Sequence, residues 1–262
     1  VSRVWKFLFP EKIRWDSAQN ALKINSIELI LRAFFCFREQ AKREDHIMNW
    51  HYIASILPAL LSGTQTTLII FITTLVLSIP LGIVVSIGLR SGWRPLQWVL
   101  NAYVWLMRGT PLLLQLIFIF YGLPMVSIYF DRMSAVFLAF VLNYAAYFAE
   151  IFRGGLQGIP QGQYDAAKVL KLTPLQTFRL VVLPQVVKSV IPAVGNEVIN
   201  LVKDSSLVYV LGIGDLLRAG NIAAARDVTL IPLVLVGIVY LALTALLTWG
   251  LRSLEKHYAY YR

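Results

Sequence analysis

YDAAKVLKLTPLQTFRLVVLPQ, residues 164–185, is a polar segment lying between two stretches apolar enough to sit in lipid. Its local shape is more defined than a solvated connection requires. Pro160 and Gly162 break the chain just before it. Residues 164–170 then read as a short helix with Ala166 and Ala167 at its centre, where small side chains let another backbone approach closely. Thr173, Pro174 and Gln176 form a second helix start. Thr caps, Pro suits the first helical position, and Gln three residues after the cap closes a capping box. The apolar run 178–183 follows, and Pro184 is expected to end or kink it. The segment is thus read as two helices joined by an elbow.

Composition places this shaped segment in a membrane protein. The 262 residues are 58% hydrophobic and 15% charged, with a mean hydropathy of +0.66. A soluble domain carries about 25% charged residues. The net charge of +10 fits basic residues gathered at the cytoplasmic ends of spans. No basic face with interleaved aromatics occurs, which argues against nucleic acid as a partner. A single cysteine, Cys36, makes neither an intrachain disulfide nor a zinc site, and His46, His51 and His257 are scattered.

A bilayer core needs about 20 apolar residues as a helix. Stretches poor in charge predict five spans, near residues 60–88, 98–123, 133–153, 185–210 and 228–250. One set of connections holds Arg90 and Arg94, then Arg153, Lys168, Lys171 and Arg179, then Arg252, Lys256 and Arg262. The opposite set balances acids with bases at Asp131, Arg132, Asp215, Arg218, Arg226 and Asp227. The first set is expected to be cytoplasmic, together with segment 161–185 and the C-terminus.

Residues 1–47 sit apart. Their best apolar run, INSIELILRAFFCF, is short and contains Glu28 and Arg32, a poor span. Two expectations stand for this extension. Either the working protein starts at Met48, leaving a transport domain over 48–262, or 1–47 is an interfacial tail with Trp5, Phe7, Phe9 and Trp15 on lipid.

Polar residues recur inside three of the spans. Asn101, Arg108 and Gln115 are spaced by seven in the second span, which predicts a shared helical face. The same span contains RGTP, residues 108–111, where Gly109 and Pro111 weaken or bend the helix. Asn143, Tyr147 and Glu150 share a face of the third span, and Asn196, Glu197, Asn200, Lys203 and Asp204 form a stripe on the fourth. Such residues are costly in lipid and line interiors or water-filled paths. The structural reading of each is helix–helix hydrogen bonding, ion pairing or snorkelling. Three polar faces on three helices favour a polar translocation path, with Arg108, Asn143, Glu150, Glu197 and Asn200 as its candidate residues.

Segment 164–185 resembles the EAA loop of the membrane subunits of ATP-binding-cassette importers. The match is Asp165, Ala166, Ala167 and the ending Val182, Leu183, Pro184. MRGTPLLLQLIFIFYGLP (107–124), AEIFRGGLQGIPQGQ (149–163) and GNEVINLVKDSSLVYVLGIGDLLR (195–218) are similar to the polar amino-acid branch of that family. The resemblance spans about residues 51–257. Asp165 replaces the usual glutamate, and Lys171 stands in the place of a glycine.

The resemblance implies an all-α, type I importer permease with five transmembrane helices, pairing with an identical or sister subunit. It implies a solute-binding protein outside and ATPase subunits inside, coupled through Tyr164, Asp165, Ala166, Ala167, Leu170, Lys171, Leu183 and Pro184. The chain has no G-x-x-x-x-G-K-[ST] loop, so ATP is expected to be hydrolysed by a partner, with no cofactor held here. Arg108 is the expected partner of a substrate carboxylate, and Glu150 or Glu197 of its ammonium. The alternative is a stand-alone secondary transporter or channel for small polar solutes. An enzyme is disfavoured, because no convincing nucleophile–base pair or metal motif is present.

Overall fold

In a computed structural model, residues 50–258 of the chain are described, and their regular elements are all helical. In chain order these are α1 (Trp50–Leu89), α2 (Arg94–Gly109) and α3 (Leu112–Ile117), followed by α4 (Arg132–Gln157) and α5 (Gln161–Val169). Then come α6 (Pro174–Gln176), α7 (Leu183–Asp204), α8 (Leu216–Asp227) and α9 (Ile231–Tyr258). Leu57–Arg262 forms one compact unit, and the first two turns of α1 belong to the other. Cys36, His46 and the extension 1–47 lie outside the described residues.

Among the described residues, four continuous helical stretches are long and apolar enough to cross a membrane: Trp50–Leu89, Arg132–Gln157, Pro174–Leu211 and Ile231–Tyr258. The fifth crossing is a bent pair, Arg94–Gly109 with Leu112–Val126, turning by 107°. The bend falls at RGTP, where Gly109 and Pro111 predict it, and it interrupts the face that the spacing of Asn101, Arg108 and Gln115 predicts. Pro111 offers no N–H to the carbonyl of Met107, and Thr110 is extended with φ −121° and ψ 146°. An extended residue before proline is the expected backbone.

The fourth crossing departs from expectation in the other direction. Pro184 does not end the helix. The ladder shifts to i→i−5 bonding over Thr177–Val182, with the Leu183 N–H donating to the Phe178 carbonyl. The helix then runs on through α7 with proline in its first turn. The same device follows α3. A π-turn over Phe118–Gly122 closes with Leu123 N–H donating to the Phe118 carbonyl, one residue before Pro124. In both places the widened turn carries the helix past a residue that has no donor.

α4 is the centre of the packing. Of its most apolar window, 56% is buried, against 11% for α9, so α9 leaves most of its surface to lipid or a partner. Phe140, Tyr144 and Phe148 are fully enclosed on successive turns of α4, with Ile70 from α1, Leu116 from α3 and Leu201 and Val202 from α7. Lipid tails are as apolar as leucine, so burial of apolar surface alone does not hold these helices together; close backbone approach and hydrogen bonds do. At Gly82 of α1 a Cβ would meet the Phe148 Cβ at 2.7 Å and the Ala145 carbonyl at 3.0 Å. Gly155 of α4 is closed off by Val190 and Val186 of α7. Gly63 gives α1 contact with the backbone of Asp215 and Leu216 at the start of α8.

Asp131 and Asp215 start two helices in the same way. Asp131 accepts from the N–H groups of Met133 and Ser134 at 3.0 and 3.1 Å. Asp215 accepts from Leu217 and Arg218 at the same two distances. Each carboxylate satisfies donors that the first helical turn leaves open.

Candidate translocation path and coupling segment

The break in the second crossing builds a polar junction. Met107 carries a carbonyl whose helical partner would be Pro111. Gln115 Nε2 donates to it at 2.9 Å and Asn143 Nδ2 at 3.0 Å. Asn143 also donates to Gln115 Oε1 at 3.0 Å, and the Thr110 hydroxyl donates to the Leu106 carbonyl at 2.8 Å. Backbone loosened inside a membrane is thus satisfied by protein groups, as it must be. Gln115 lies beyond the bend, so it does not continue the face of Asn101 and Arg108; its side chain folds back onto the end of α2. Asn101 donates to the Gln97 carbonyl of its own helix at 2.7 Å. Asn143 is buried, and both contacts donated by its Nδ2 go to this junction.

One turn and two turns further along α4, the predicted charges meet each other. Arg108 lies 3.8 Å from Glu150 and 5.4 Å from the centre of the Tyr147 ring. Arg153 also holds Glu150, with Nε donating to Oε2 at 2.9 Å, and it reaches Gln157 at 2.8 Å. Within one chain, then, Glu150 sits between two guanidinium groups. Arg108 keeps 41% of its side chain accessible.

The stripe on α7 is divided. Asn196, Asn200 and Lys203 are exposed, whereas Glu197 and Asp204 are half-buried. Glu197 lies beside Asn200 and within electrostatic range of Asp204 and Arg108. The Tyr144 hydroxyl donates to Asp204 Oδ2 at 2.7 Å, fastening α4 to α7. Sequence reasoning did not single out Tyr144 as a polar anchor. Its place in the aromatic series Phe140, Tyr144, Phe148 marks it as core, and nothing local shows that its hydroxyl meets an acid 60 residues away. The Met107 carbonyl was legible in principle from Pro111 four residues on. An exposed polar stripe in a crossing helix is compatible with water or a partner, and incompatible with lipid.

The shaped segment forms as two helical pieces at an elbow. The Leu172 N–H donates to the Ala167 carbonyl and the Lys171 N–H to the Lys168 carbonyl, at 3.0 and 2.9 Å. This is a Schellman ending with Lys171 as its left-handed residue, φ 52°. Lys171 occupies the backbone state that glycine takes at least cost. The capping box closes: Gln176 N–H donates to Thr173 Oγ1 at 3.3 Å, and Thr173 N–H to Gln176 Oε1 at 2.9 Å. Ala167 is buried at 2%, whereas Val169, Leu170 and Leu175 are 82%, 71% and 74% exposed. Asp165, Ala166 and Lys171 are exposed, and Tyr164 is half-buried against the group formed by Val182, Val186 and Val190. Leu183 and Pro184 belong to the foot of α7.

These features define a polytopic helical membrane protein with polar groups in its spans and a capped, apolar-tipped elbow between two of them. The chain belongs to the family of binding-protein-dependent transport system inner membrane components, whose model matches residues 78–260. It is 36% identical to the arginine transport system permease protein ArtQ of Bacillus subtilis, over 80% of this chain and 97% of that protein. It is 34% identical to the glutamate/aspartate import permease protein GltK of Escherichia coli O6:H1, over 75% of this chain and 92% of that protein. A solved amino acid ABC transporter with histidines matches at a TM-score of 0.75 and 30% identity, covering 80% of this chain and 99% of that one. The fold is that of the type I importer permeases.

Proposed function

We propose that this chain is the membrane subunit of an ATP-driven importer for a polar amino acid, and that segment 161–185 transmits the ATPase cycle to its spans. The observation that carries the reading is the elbow: Val169, Leu170 and Leu175 are exposed, the Schellman turn sets their geometry, and Tyr164 packs the segment against Val182 and Val186. An exposed apolar tip on a capped mount is an expensive surface for a free loop and a suitable one for a partner. ATPase closure then moves the mount and shifts the helices between two states, which requires that ATP bind those states unequally.

The basic connections carrying Arg90, Lys168, Arg179 and Arg252 support a cytoplasmic side for this elbow and the C-terminus. Asn196, Asn200 and Lys203 of α7 face a second permease copy or a sister subunit, and the path runs along that seam. Arg108 meets the substrate carboxylate and Glu150 or Glu197 its ammonium. Within the single chain Glu150 is shared by Arg153 and, at 3.8 Å, Arg108, so Arg108 keeps positive charge to offer an incoming carboxylate. ArtQ and GltK are relatives that bear the names of arginine and of glutamate and aspartate, and they support a charged or polar amino acid as cargo. An extracytoplasmic binding protein delivers it.

The test is reconstituted uptake of labelled arginine, glutamate, glutamine and cystine by the chain with its partner subunits. Leu170→Asp is expected to abolish both ATPase co-purification and uptake. Uptake that persists without any ATPase, or an ATPase that co-purifies undiminished with Leu170→Asp, overturns the reading.

A further inference from the structure

We infer that the cleft between the end of α1 and the elbow binds the headgroup of an anionic phospholipid, which tethers the coupling segment to the membrane surface. The cleft has a volume of about 600 Å³ and is lined by Ile87 and Arg90 of α1, Leu156 of α4, and Tyr164, Lys168 and Phe178 of the shaped segment, among others. That volume is in the range of small-molecule sites.

Three observations select the occupant. First, charge: the cleft's cations are Arg90 and Lys168, and the acid paired with Lys168 is Asp165, at 3.8 Å, with both members of that pair well exposed. Arg90 makes no ion pair with a described residue. A basic pocket at the end of membrane helices fits an anionic headgroup. Second, chemistry: Tyr164 and Thr177, which carry hydroxyls, line the cleft together with the apolar Ile87, Leu156 and Phe178. Third, continuity: Val76, Ile83, Val84 and Ile87 are all exposed on α1. Their near-heptad spacing places them on one helical face, so an apolar strip runs down the span and ends at the cleft wall. A free phosphate would use the cations and leave that strip bare; a phospholipid uses both.

The site joins α1 to the elbow through a ligand rather than through a side-chain bond. Its occupancy therefore adjusts how stiffly the coupling segment is held. The inference rests on the orientation proposed above only in assigning the cytoplasmic leaflet. Lipid retention by a solubilised complex does not depend on sidedness, so failure of one is distinguishable from failure of the other.

The full chain, purified with its partner subunits and delipidated, is exposed to equimolar phosphatidylglycerol and phosphatidylcholine, and retained lipid is measured by native mass spectrometry. The expected preference for phosphatidylglycerol is roughly tenfold or more. Arg90→Gln with Lys168→Gln is expected to abolish most of it, and Arg90→Lys with Lys168→Arg to keep it. Arg252→Gln with Lys256→Gln, at the end of α9 and outside the cleft lining, changes net charge equally and is expected to leave the preference intact. Equal retention of the two lipids overturns the proposal, as does an equal loss in the remote control. Displacement of the lipid by glycerol phosphate alone also overturns it, because the acyl strip would then contribute nothing.

Discussion

Asn143 Nδ2 donates to the Met107 carbonyl at 3.0 Å, and Met107 is the residue whose helical donor is removed by Pro111. A side chain on one helix thus completes the broken end of another. Replacing Asn143 with Leu leaves that carbonyl with Gln115 as its remaining side-chain partner and is expected to cost about 1 kcal/mol of stability. Asn143→Leu combined with Pro111→Ala should cost less than the two changes summed, because an alanine in place of the proline can restore the missing N–H. Thermal unfolding of the solubilised protein measures both, and strict additivity would sink the assignment.

Glu150 is held between Arg108 and Arg153. Glu150→Gln is expected to lower uptake at least about tenfold, the scale of losing one charge-assisted contact, while assembly persists. Arg108→Lys should keep part of the activity and Arg108→Gln lose it. Normal uptake in both neutral variants, with the complex intact, would remove these residues from the path.

Lys171 adopts a left-handed backbone at the elbow. Lys171→Gly is expected to raise stability by about 0.5–1 kcal/mol, the balance of relieved strain against added chain entropy. Lys171→Val should lower it, since a β-branched residue is poorly tolerated there. The melting temperatures of the two variants should move in opposite directions; a shift of both the same way contradicts the geometry.

Gly82 lets α1 lie against the backbone of α4. A side chain there has no space, and the nearest atoms include main chain, which cannot swing aside. Gly82→Val is expected to destabilise the protein by about 1–3 kcal/mol, and Gly162→Ala, at an open position, to have little effect. Expression and unfolding of the two variants compare them directly.

Hydrogen bonds from Ser134, side chain first and then backbone, hold the Asp131 carboxyl below the ordinary carboxylate range. The unfolded chain binds a proton near pH 3.9, above the folded value. The stabilisation from this cap is therefore present above that pH and fades as pH falls through the folded value. Asp131→Asn keeps the cap and should flatten that acid-side dependence in an unfolding series below about pH 4.

Much of the architecture was legible because its signals are local. Span-length apolar runs, the Thr173–Gln176 capping box and the Asp165–Ala167 motif each depend on residues near one another in the chain. The spacing of Asn101, Arg108 and Gln115 misled because periodicity assumes an unbroken helix, and Pro111 breaks it. Of the two outcomes expected at Pro184, an end or a kink, the end does not occur, since a π-turn lets the helix continue. Sequence by itself determined a helical membrane protein with polar spans and a shaped elbow, for these follow from hydropathy, capping and steric rules. Only the tertiary structure decided that Asn143 completes the end of α2, that Tyr144 reaches Asp204, and that Glu150 lies between two arginines. Those pairings depend on the 107° bend and on glycine-mediated packing between distant helices, and no spacing along the chain encodes which faces such packing brings together.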